Sequence, residues 1–180
     1  TLVKSSAASD VYKRQVYCPG SINLRPFKGL KSEAFLNDFE LNVLGAVKCL
    51  QIIQPLLAAS EQASVVLFST VAVQTGIPFH ASVAASKGAL EGLGRSLAAE
   101  WAPKIRVNLI ASSITDTPLA NRFLNNEIKK EKSSLRHPLK RIGSVNDVAE
   151  LAVFLLTEKS SWMTGQVIGL DGGISTLNIN

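Results

Sequence analysis

Two side chains on one predicted helix, His80 and Lys87, have the types and spacing to move a proton. Apolar residues recur at helical spacing over residues 80–101, so His80 lies two turns before Lys87 on the same face, about 10 Å away along the axis. An imidazole with an ordinary pKa of about 6.5 suits proton transfer near neutral pH. Thr70 is the last residue of a predicted buried strand, and its hydroxyl can donate a hydrogen bond. Alternatively, His80 caps the helix or faces solvent, and Thr70 simply ends its strand.

The elements that must position these residues alternate between strand and helix. Apolar, β-branched runs predict strands and apolar residues at 3.6 spacing predict helices. The strands are expected within residues 16–20, 64–70, 105–110 and 166–170, and the helices within 32–56, 80–101 and 144–156. Ser32 is expected to cap the first helix, and Ser144 with Asp147 forms a capping-box pattern before the last. This order predicts an α/β fold, a doubly wound parallel sheet with helices on both faces.

Such a sheet binds ligands beyond the carboxyl ends of its strands. The residues at those ends are Gly20, Ser69, Thr70 and the segment 111–117. Residues 112 to about 143 are predicted to form a long loop with helical pieces. His137 lies in this polar segment, immediately before Pro138, and is predicted to be at the surface.

The composition favours a globular protein and excludes several function classes. Hydrophobic residues make up 46% of the 180 residues and charged residues 18%. Charged and polar residues interrupt the apolar runs, so no membrane span is expected. The net charge of +5 is weak, and the basic cluster at 129–141 has no interleaved aromatics, so nucleic acid is not an expected partner. Cys18 and Cys49 have no metal-ligand spacing. They are predicted to be buried thiols, and a single bridge between them stays open.

The first fifteen residues, TLVKSSAASDVYKRQ, show no period of a helix or a strand. The stretch SSAASDVYKRQ looks like translated sequencing-adapter sequence, and the alternative is a genuine flexible arm. We therefore predict that residues 1–15 are non-native or disordered and that residues 16–180 form one continuous unit.

Five segments in order resemble the short-chain dehydrogenase/reductase family. They are VYCPG; LNVLGA; FST with the later SKGALEGLGRSLAAEWAPKIRVNLIA; TDTPL; and HPLKRIGSVNDVAELAVFLLTEKSSWMTGQVIGLDGG. The resemblance covers nearly all of residues 16–176 and implies a Rossmann-like fold, of which this chain supplies the last four of seven strands. The family's TGxxxGxG turn, which holds the cofactor pyrophosphate, has no counterpart in these residues. The resemblance therefore implies a partial Rossmann-like domain whose own binding of NAD or NADP is doubtful.

The resemblance also implies roles for individual residues. Lys87 takes the place of the lysine that binds the nicotinamide ribose, Asn42 that of the asparagine that holds a proton-relay water, and Thr70 that of the catalytic serine. The family's tyrosine, four residues before the lysine, is Val83 here, which cannot donate a proton. The implied catalytic set is Asn42, Thr70, His80 and Lys87. The implied cofactor-binding set is Pro19, Gly20, Lys87, Ser112, Thr115 and Thr117.

Two features connect the tyrosine position to particular relatives. His80 lies at the offset where the related enoyl-acyl-carrier-protein reductases place their tyrosine. The segment PFHASVAASKGALEGL resembles the dienoyl-CoA reductases, which also lack the tyrosine and reduce conjugated C=C bonds. In addition, the family's PG motif is replaced by Ser112-Ser113, which puts the backbone shape on the cofactor side in doubt.

Three functions follow as hypotheses. The complete protein is an NAD(P)-dependent oxidoreductase acting on a small molecule with a C=O, C–OH or activated C=C group. Alternatively, it is a non-catalytic binding or scaffold protein on the same fold. This polypeptide itself is expected to be inactive as a fragment. The resemblance further implies a homo-oligomer, a dimer or tetramer, and with no visible secretory signal we expect a cytoplasmic protein.

Overall fold

A four-stranded parallel sheet organises the molecule. The computed structural model describes residues 13–178. The strands are β1 (Arg14–Tyr17), β2 (Ala63–Thr70), β3 (Ile105–Ser112) and β4 (Val167–Leu170), and their spatial order is the order of the chain. Each crossover between neighbouring strands carries at least one helix, as parallel pairing requires. The predicted α/β fold with a doubly wound parallel sheet is therefore confirmed.

The helices cover both faces of this sheet. They are α1 (Ser32–Phe39), α2 (Gly45–Ala58), α3 (Ala72–Thr75), α4 (Ala81–Trp101), α5 (Asn121–Leu124), α6 (Glu127–Leu135) and α7 (Val145–Leu156). Helices α2 and α4 pack on one face against Val65 and Leu67 of β2, while α7 packs on the other face against Val66. Because side chains alternate along a strand, consecutive apolar residues of β2 supply both cores.

The first predicted helix is interrupted. Helix α1 begins at Ser32, and Lys31 occupies the N-cap position without a side-chain cap bond, so the expected cap by Ser32 is wrong. A π-helical turn, Glu40–Leu44, separates α1 from α2. Tyr17 Oη of β1 donates a 2.7 Å hydrogen bond to Leu41 O in this turn. A long-range partner for a helical carbonyl is one of the recognised causes of such irregularity.

The N-terminal part of the unit begins slightly earlier than the sequence pattern indicated. Strand β1 includes Arg14 and Gln15, which pair with Ser64 and Val65 of β2, although both residues fall in the segment set aside as non-native. Residues 1–12 lie outside the described residues, so the proposed origin of that segment stays a prediction.

Two burial predictions are wrong. His137 is only 3% exposed, because its ring bridges Ser113 Oγ and Ser133 O, each at 2.8 Å. Cys18 and Cys49 are free thiols on the surface rather than buried residues. By contrast, the capping box of Ser144 and Asp147 at the start of α7 is present as predicted.

The segment Ser32–Ala58 has the length and apolarity of a membrane span, which the interrupted apolar runs did not predict. Its best window has a mean hydropathy of 1.4. Of this window 28% is buried, and the buried residues of the segment, among them Val43 and Leu50, pack into the core beside the sheet.

Candidate functional site

Lys87 is the centre of the candidate site. Helix α4 carries it to the C-terminal half of β2, where its Nζ donates a 2.7 Å hydrogen bond to Phe68 O. The residue is 6% exposed. Burial lowers the pKa of the Lys87 ammonium from its ordinary 10.5 to about 8, while the negative charge of Asp38 acts in the opposite direction. A lysine in this range exchanges protons readily near neutral pH.

Asn42 lies in the π-helical turn and is fully buried. Its Nδ2 donates to Ser86 Oγ at 2.9 Å and to Ser21 Oγ at 3.2 Å. Its Oδ1 is buried without a hydrogen-bond partner among the described residues. An unpaired buried acceptor is costly, and it marks a place where a ligand or water atom would be accepted.

Gly20 brings Asn42 and Lys87 together. A Cβ placed on Gly20 would lie 3.5 Å from Lys87 Nζ and 3.6 Å from Asn42 Oδ1. Both atoms therefore border the same small space at the carboxyl end of β1. A larger residue at position 20 would extend into this space, so the absence of a side chain keeps it open beside a donor and an acceptor.

Thr70 lies at the last position of β2, two residues beyond the carbonyl that Lys87 contacts. Its Oγ1 accepts a 3.3 Å hydrogen bond from Ala72 N, which uses a lone pair and leaves the hydroxyl proton available. Val83 is buried, at 5% exposure, one turn before Lys87. The aliphatic side chain at this position supplies no proton.

His80 is placed at the start of α4, at the N-cap position, where it forms no side-chain cap bond. Its Nδ1 lies 2.8 Å from Pro78 O, so this contact holds the ring at the helix start. The network around Asn42 and Lys87 is formed without it. The placement two turns before Lys87 agrees with the helical spacing, and a catalytic role stays a prediction.

The residues predicted for the cofactor side follow the strand ends. Pro19 and Gly20 come after β1, and Ser112 ends β3 and accepts from Val71 N through its carbonyl at 3.2 Å. Thr115 and Thr117 make hydrogen bonds within their own segment, to Ser113 O and Thr115 O. Pro19, Gly20 and Ser112 thus lie at the carboxyl ends of their strands, whereas Thr115 forms an isolated bridge with Gly143. No contact links Thr115 or Thr117 to Lys87 in the described part of the chain.

Sequence reasoning missed Asp38 and Ser21. Asp38 is 3% exposed, and its Oδ1 accepts a 2.7 Å hydrogen bond from Ser21 Oγ. A signal existed in the sequence, because Asp38 is one turn before Asn42 and both interrupt the apolar face of a predicted helix. A buried carboxylate near a buried ammonium is a mark of functional sites.

The residues present fit the nicotinamide end of a dinucleotide cofactor. The one hydrogen bond described from Lys87 Nζ, within residues 13–178, goes to Phe68 O, and an ammonium has three donors. Two N–H groups therefore remain for ribose hydroxyls. The Asn42 acceptor and the open space at Gly20 lie beside them.

Comparison with known proteins decides the family. A family profile described as enoyl-(acyl carrier protein) reductase matches residues 16–175. A tropinone reductase homolog of Arabidopsis thaliana is 36% identical over 157 residues, covering 87% of this chain and 60% of the homolog. The chain belongs to the short-chain dehydrogenase/reductase family. A second tropinone reductase homolog from the same plant is 41% identical over 155 residues, covering 84% of this chain and 57% of its own length.

Solved structures of this family superpose on the chain. A short-chain type dehydrogenase/reductase from Mycobacterium ulcerans has a TM-score of 0.83 at 29% identity, covering 94% of this chain and 65% of its own. A gluconate 5-dehydrogenase from Burkholderia cenocepacia, in complex with NADP and tartrate, has a TM-score of 0.85 at 23% identity, covering 96% and 71%; this second likeness shows the fold alone. The chain spans about three fifths of the length of the curated relatives that it matches.

Proposed function

We propose that the full-length protein is an NAD(P)-dependent oxidoreductase that transfers hydride to or from a small molecule with a C=O, C–OH or activated C=C group. The observation that carries this proposal is the buried Lys87 with its lowered pKa, beside the unpaired Asn42 Oδ1 and the open space at Gly20. Perturbed pKa values cluster at functional sites, and a lysine that binds ribose and exchanges protons makes use of such burial.

Each residue has a proposed part in this reaction. Bound nicotinamide would supply or accept the hydride. Lys87 binds the ribose hydroxyls and, with Asn42, holds a water that exchanges the proton. Thr70 donates its hydroxyl proton as a hydrogen bond to the substrate oxygen, where negative charge develops. Because Val83 cannot act as the acid, the proton comes from that water or from His80.

The test is single-turnover reduction of a panel of ketones and enoyl-CoA thioesters by NADH and NADPH, with the full-length protein. Lys87→Met should lower the rate by at least about a hundredfold, the usual size of a lost general acid–base contribution. His80→Ala distinguishes the two proton sources, since only one of them passes through the imidazole. Lys132→Met, on exposed α6, is the control. If Lys87→Met reduces every substrate as fast as the parent, the proposal is wrong.

Val83 supports a second candidate, a non-catalytic binding or scaffold protein. Val83 is buried at the position of the family's tyrosine. The replacement of the tyrosine by valine is therefore a change inside the candidate site and not at the surface. Val83→Tyr discriminates between the two functions. A large gain of activity would indicate an otherwise intact site, whereas tight cofactor binding without turnover, before and after the change, would favour the binding role.

The wider context is also proposed. We place the protein in the cytoplasm and propose that the complete protein forms a homo-oligomer. A groove between α2 and α4, lined by Val47, Leu93 and Trp101 among others, and the exposed Ile52 on α2 support contact with a second copy. We further propose that this polypeptide alone is inactive.

A further inference from the structure

We infer that Asp38 is a positioning residue that fixes the orientation of the Asn42 amide through Ser21, and so directs Asn42 Oδ1 toward the space beside Lys87. This inference deepens the proposed function and rests on it for the catalytic consequence. The geometric part stands on hydrogen bonds alone.

The hydroxyl protons of Ser21 and Ser86, the two serines that contact the Asn42 amide, are both used elsewhere. A carboxylate only accepts, so Ser21 must use its single hydroxyl proton toward Asp38 Oδ1, at 2.7 Å. At the other end, Ser86 uses its proton toward Val83 O, at 3.0 Å. Each hydroxyl therefore offers only lone pairs to Asn42.

Only one orientation of the Asn42 amide satisfies both serines. Its Nδ2 has two protons, and these go to Ser21 Oγ and Ser86 Oγ. A flipped amide would place Oδ1 against two oxygens that have no proton to give. The carbonyl oxygen is thereby left toward Gly20, where Lys87 Nζ also lies.

The arrangement leaves buried polar atoms without hydrogen-bond partners, which lowers the stability of the fold. Asp38 Oδ2 and Asn42 Oδ1 are two of the three buried side-chain atoms without a hydrogen-bond partner in the described residues. A core would be more stable with apolar groups at both positions. The cost is consistent with a functional use, and the charge of Asp38 additionally favours the protonated form of Lys87.

Asp38→Asn tests the inference, because its amide can donate to Ser21 and release the Ser21 proton toward Asn42. The full-length protein is labelled with 15N-asparagine and with 13Cε-lysine, and Asn42 and Lys87 are assigned with Asn42→Ala and Lys87→Met. We expect exchange of the Asn42 amide protons with solvent to rise by roughly tenfold, the size of one buried hydrogen bond. We also expect the pKa of Lys87 to fall.

Two further variants separate the causes. Ser21→Ala removes the link but keeps the charge, so it should speed exchange of the Asn42 amide while leaving the Lys87 titration nearly unchanged. Glu40→Gln removes a charge from the exposed side of the π-helical turn, where Glu40 pairs with Lys48 at 2.6 Å, and should change neither reading. Thermal melting confirms that each variant is folded.

Failure of this inference can be distinguished from failure of the proposed oxidoreductase function. If the Asn42 amide stays equally protected in folded Asp38→Asn and Ser21→Ala proteins, the inference is overturned, whatever the activity. If the amide responds as expected but the parent itself turns over no substrate, the positioning holds and the proposed oxidoreductase function fails. If the parent is active and Asp38→Asn has the same kcat, the catalytic consequence of the positioning is overturned. With both correct, kcat falls roughly tenfold in Asp38→Asn while KM for the substrate changes little.

Discussion

Burial of the Lys87 ammonium lowers the stability of the fold and at the same time gives this lysine a pKa that suits proton exchange. Its ammonium is almost completely removed from water, and a single backbone carbonyl replaces part of the lost hydration. The lowered pKa measures this cost, because the folded protein binds the proton less tightly than the unfolded chain does. Residues that lower stability in this way are typical of active sites.

Lys87→Met should therefore stabilise the fold while abolishing the proposed activity. Between pH 8 and 10.5 the unfolded chain binds more protons than the folded one, so the stability of the parent rises with pH across this window. The gain from Lys87→Met should be up to about 3 kcal/mol below pH 8 and vanish above pH 10.5. Urea unfolding across this pH range measures it, with the exposed Lys132→Met as control. A variant less stable than the parent at pH 7 would contradict the argument.

At the scale of elements, helix α4 and strand β3 meet at a glycine. A Cβ on Gly94 would come within 2.6 Å of Leu109 Cδ1, and Leu109 is fully buried. For Gly92, on the same helix, no heavy atom of residues 13–178 beyond the local helix backbone lies within 4 Å of the Cβ position. The two glycines have the same helix propensity, but Gly94 is tightly packed and Gly92 is not. Packing therefore favours glycine at position 94 and sets no such limit at position 92.

Gly94→Ala should destabilise the protein by roughly 1–3 kcal/mol, because the clash with a fully packed leucine exceeds the gain in helix propensity. Gly92→Ala is the matched control and should stabilise by up to about 1 kcal/mol, since it reduces only the freedom of the unfolded chain. Denaturant unfolding of both variants decides the matter. Equal effects from the two alanines would show that the approach of α4 to β3 is not tight.

Arg106 ties the end of α7 to the sheet. From β3 its guanidinium donates to the carbonyls of Leu155, Thr157 and Ser160 at 3.0 Å and to Ser160 Oγ at 2.9 Å. The fork of a guanidinium suits several acceptors at once. Burial lowers the pKa of Arg106.

Removing this fork takes one charge-assisted hydrogen bond from each of these carbonyls, although each keeps a second donor from Ser64, Ser160 or Met163. Arg106→Met should therefore destabilise by about 2–4 kcal/mol, whereas the exposed Arg136→Met should change stability by less than about 0.5 kcal/mol. The thermal midpoints of the two variants provide the measurement. A small effect of Arg106→Met would mean that the remaining donors satisfy these carbonyls without the guanidinium.

At the scale of the whole molecule, the proposed cofactor site needs more than the residues described. It spans about three fifths of its curated relatives, and in the described residues β1 lies at an edge of the sheet. The residues that fit the nicotinamide end lie at the carboxyl ends of β1 to β3. A pyrophosphate normally needs a glycine-rich turn at a helix N-terminus, and residues 16–180 contain no such turn.

We therefore expect NADP⁺ or NAD⁺ to raise the melting temperature of the full-length protein but not that of this 180-residue chain. At a cofactor concentration of about 100 Kd the expected stabilisation is about 2.7 kcal/mol. Differential scanning fluorimetry with both cofactors provides the test, and ATP at the same concentration is the control. An equal shift for the short chain would show that the nicotinamide end alone carries the affinity.

The order of strands and helices, the capping box at α7 and the resemblance to the family were all predictable from the sequence. These depend on local spacing and on motifs that are contiguous in the chain. The π-helical turn was not predicted, and its Leu41 carbonyl has a partner, the Tyr17 hydroxyl, that comes from β1 rather than from the helix itself. For the same reason His137 was predicted at the surface, whereas its partner Ser113 lies across the fold.

The tertiary structure decided the chemistry of the candidate site. Lysine and asparagine at positions 87 and 42 are visible in the sequence, but the depth of burial that lowers the pKa of Lys87 depends on packing between α1, α4 and β2. The orientation of Asn42 depends on Asp38, Ser21 and Ser86, which come from three separate segments. Local patterns fix where elements begin and end, and only long-range contacts fix which polar atoms meet and how much water reaches them.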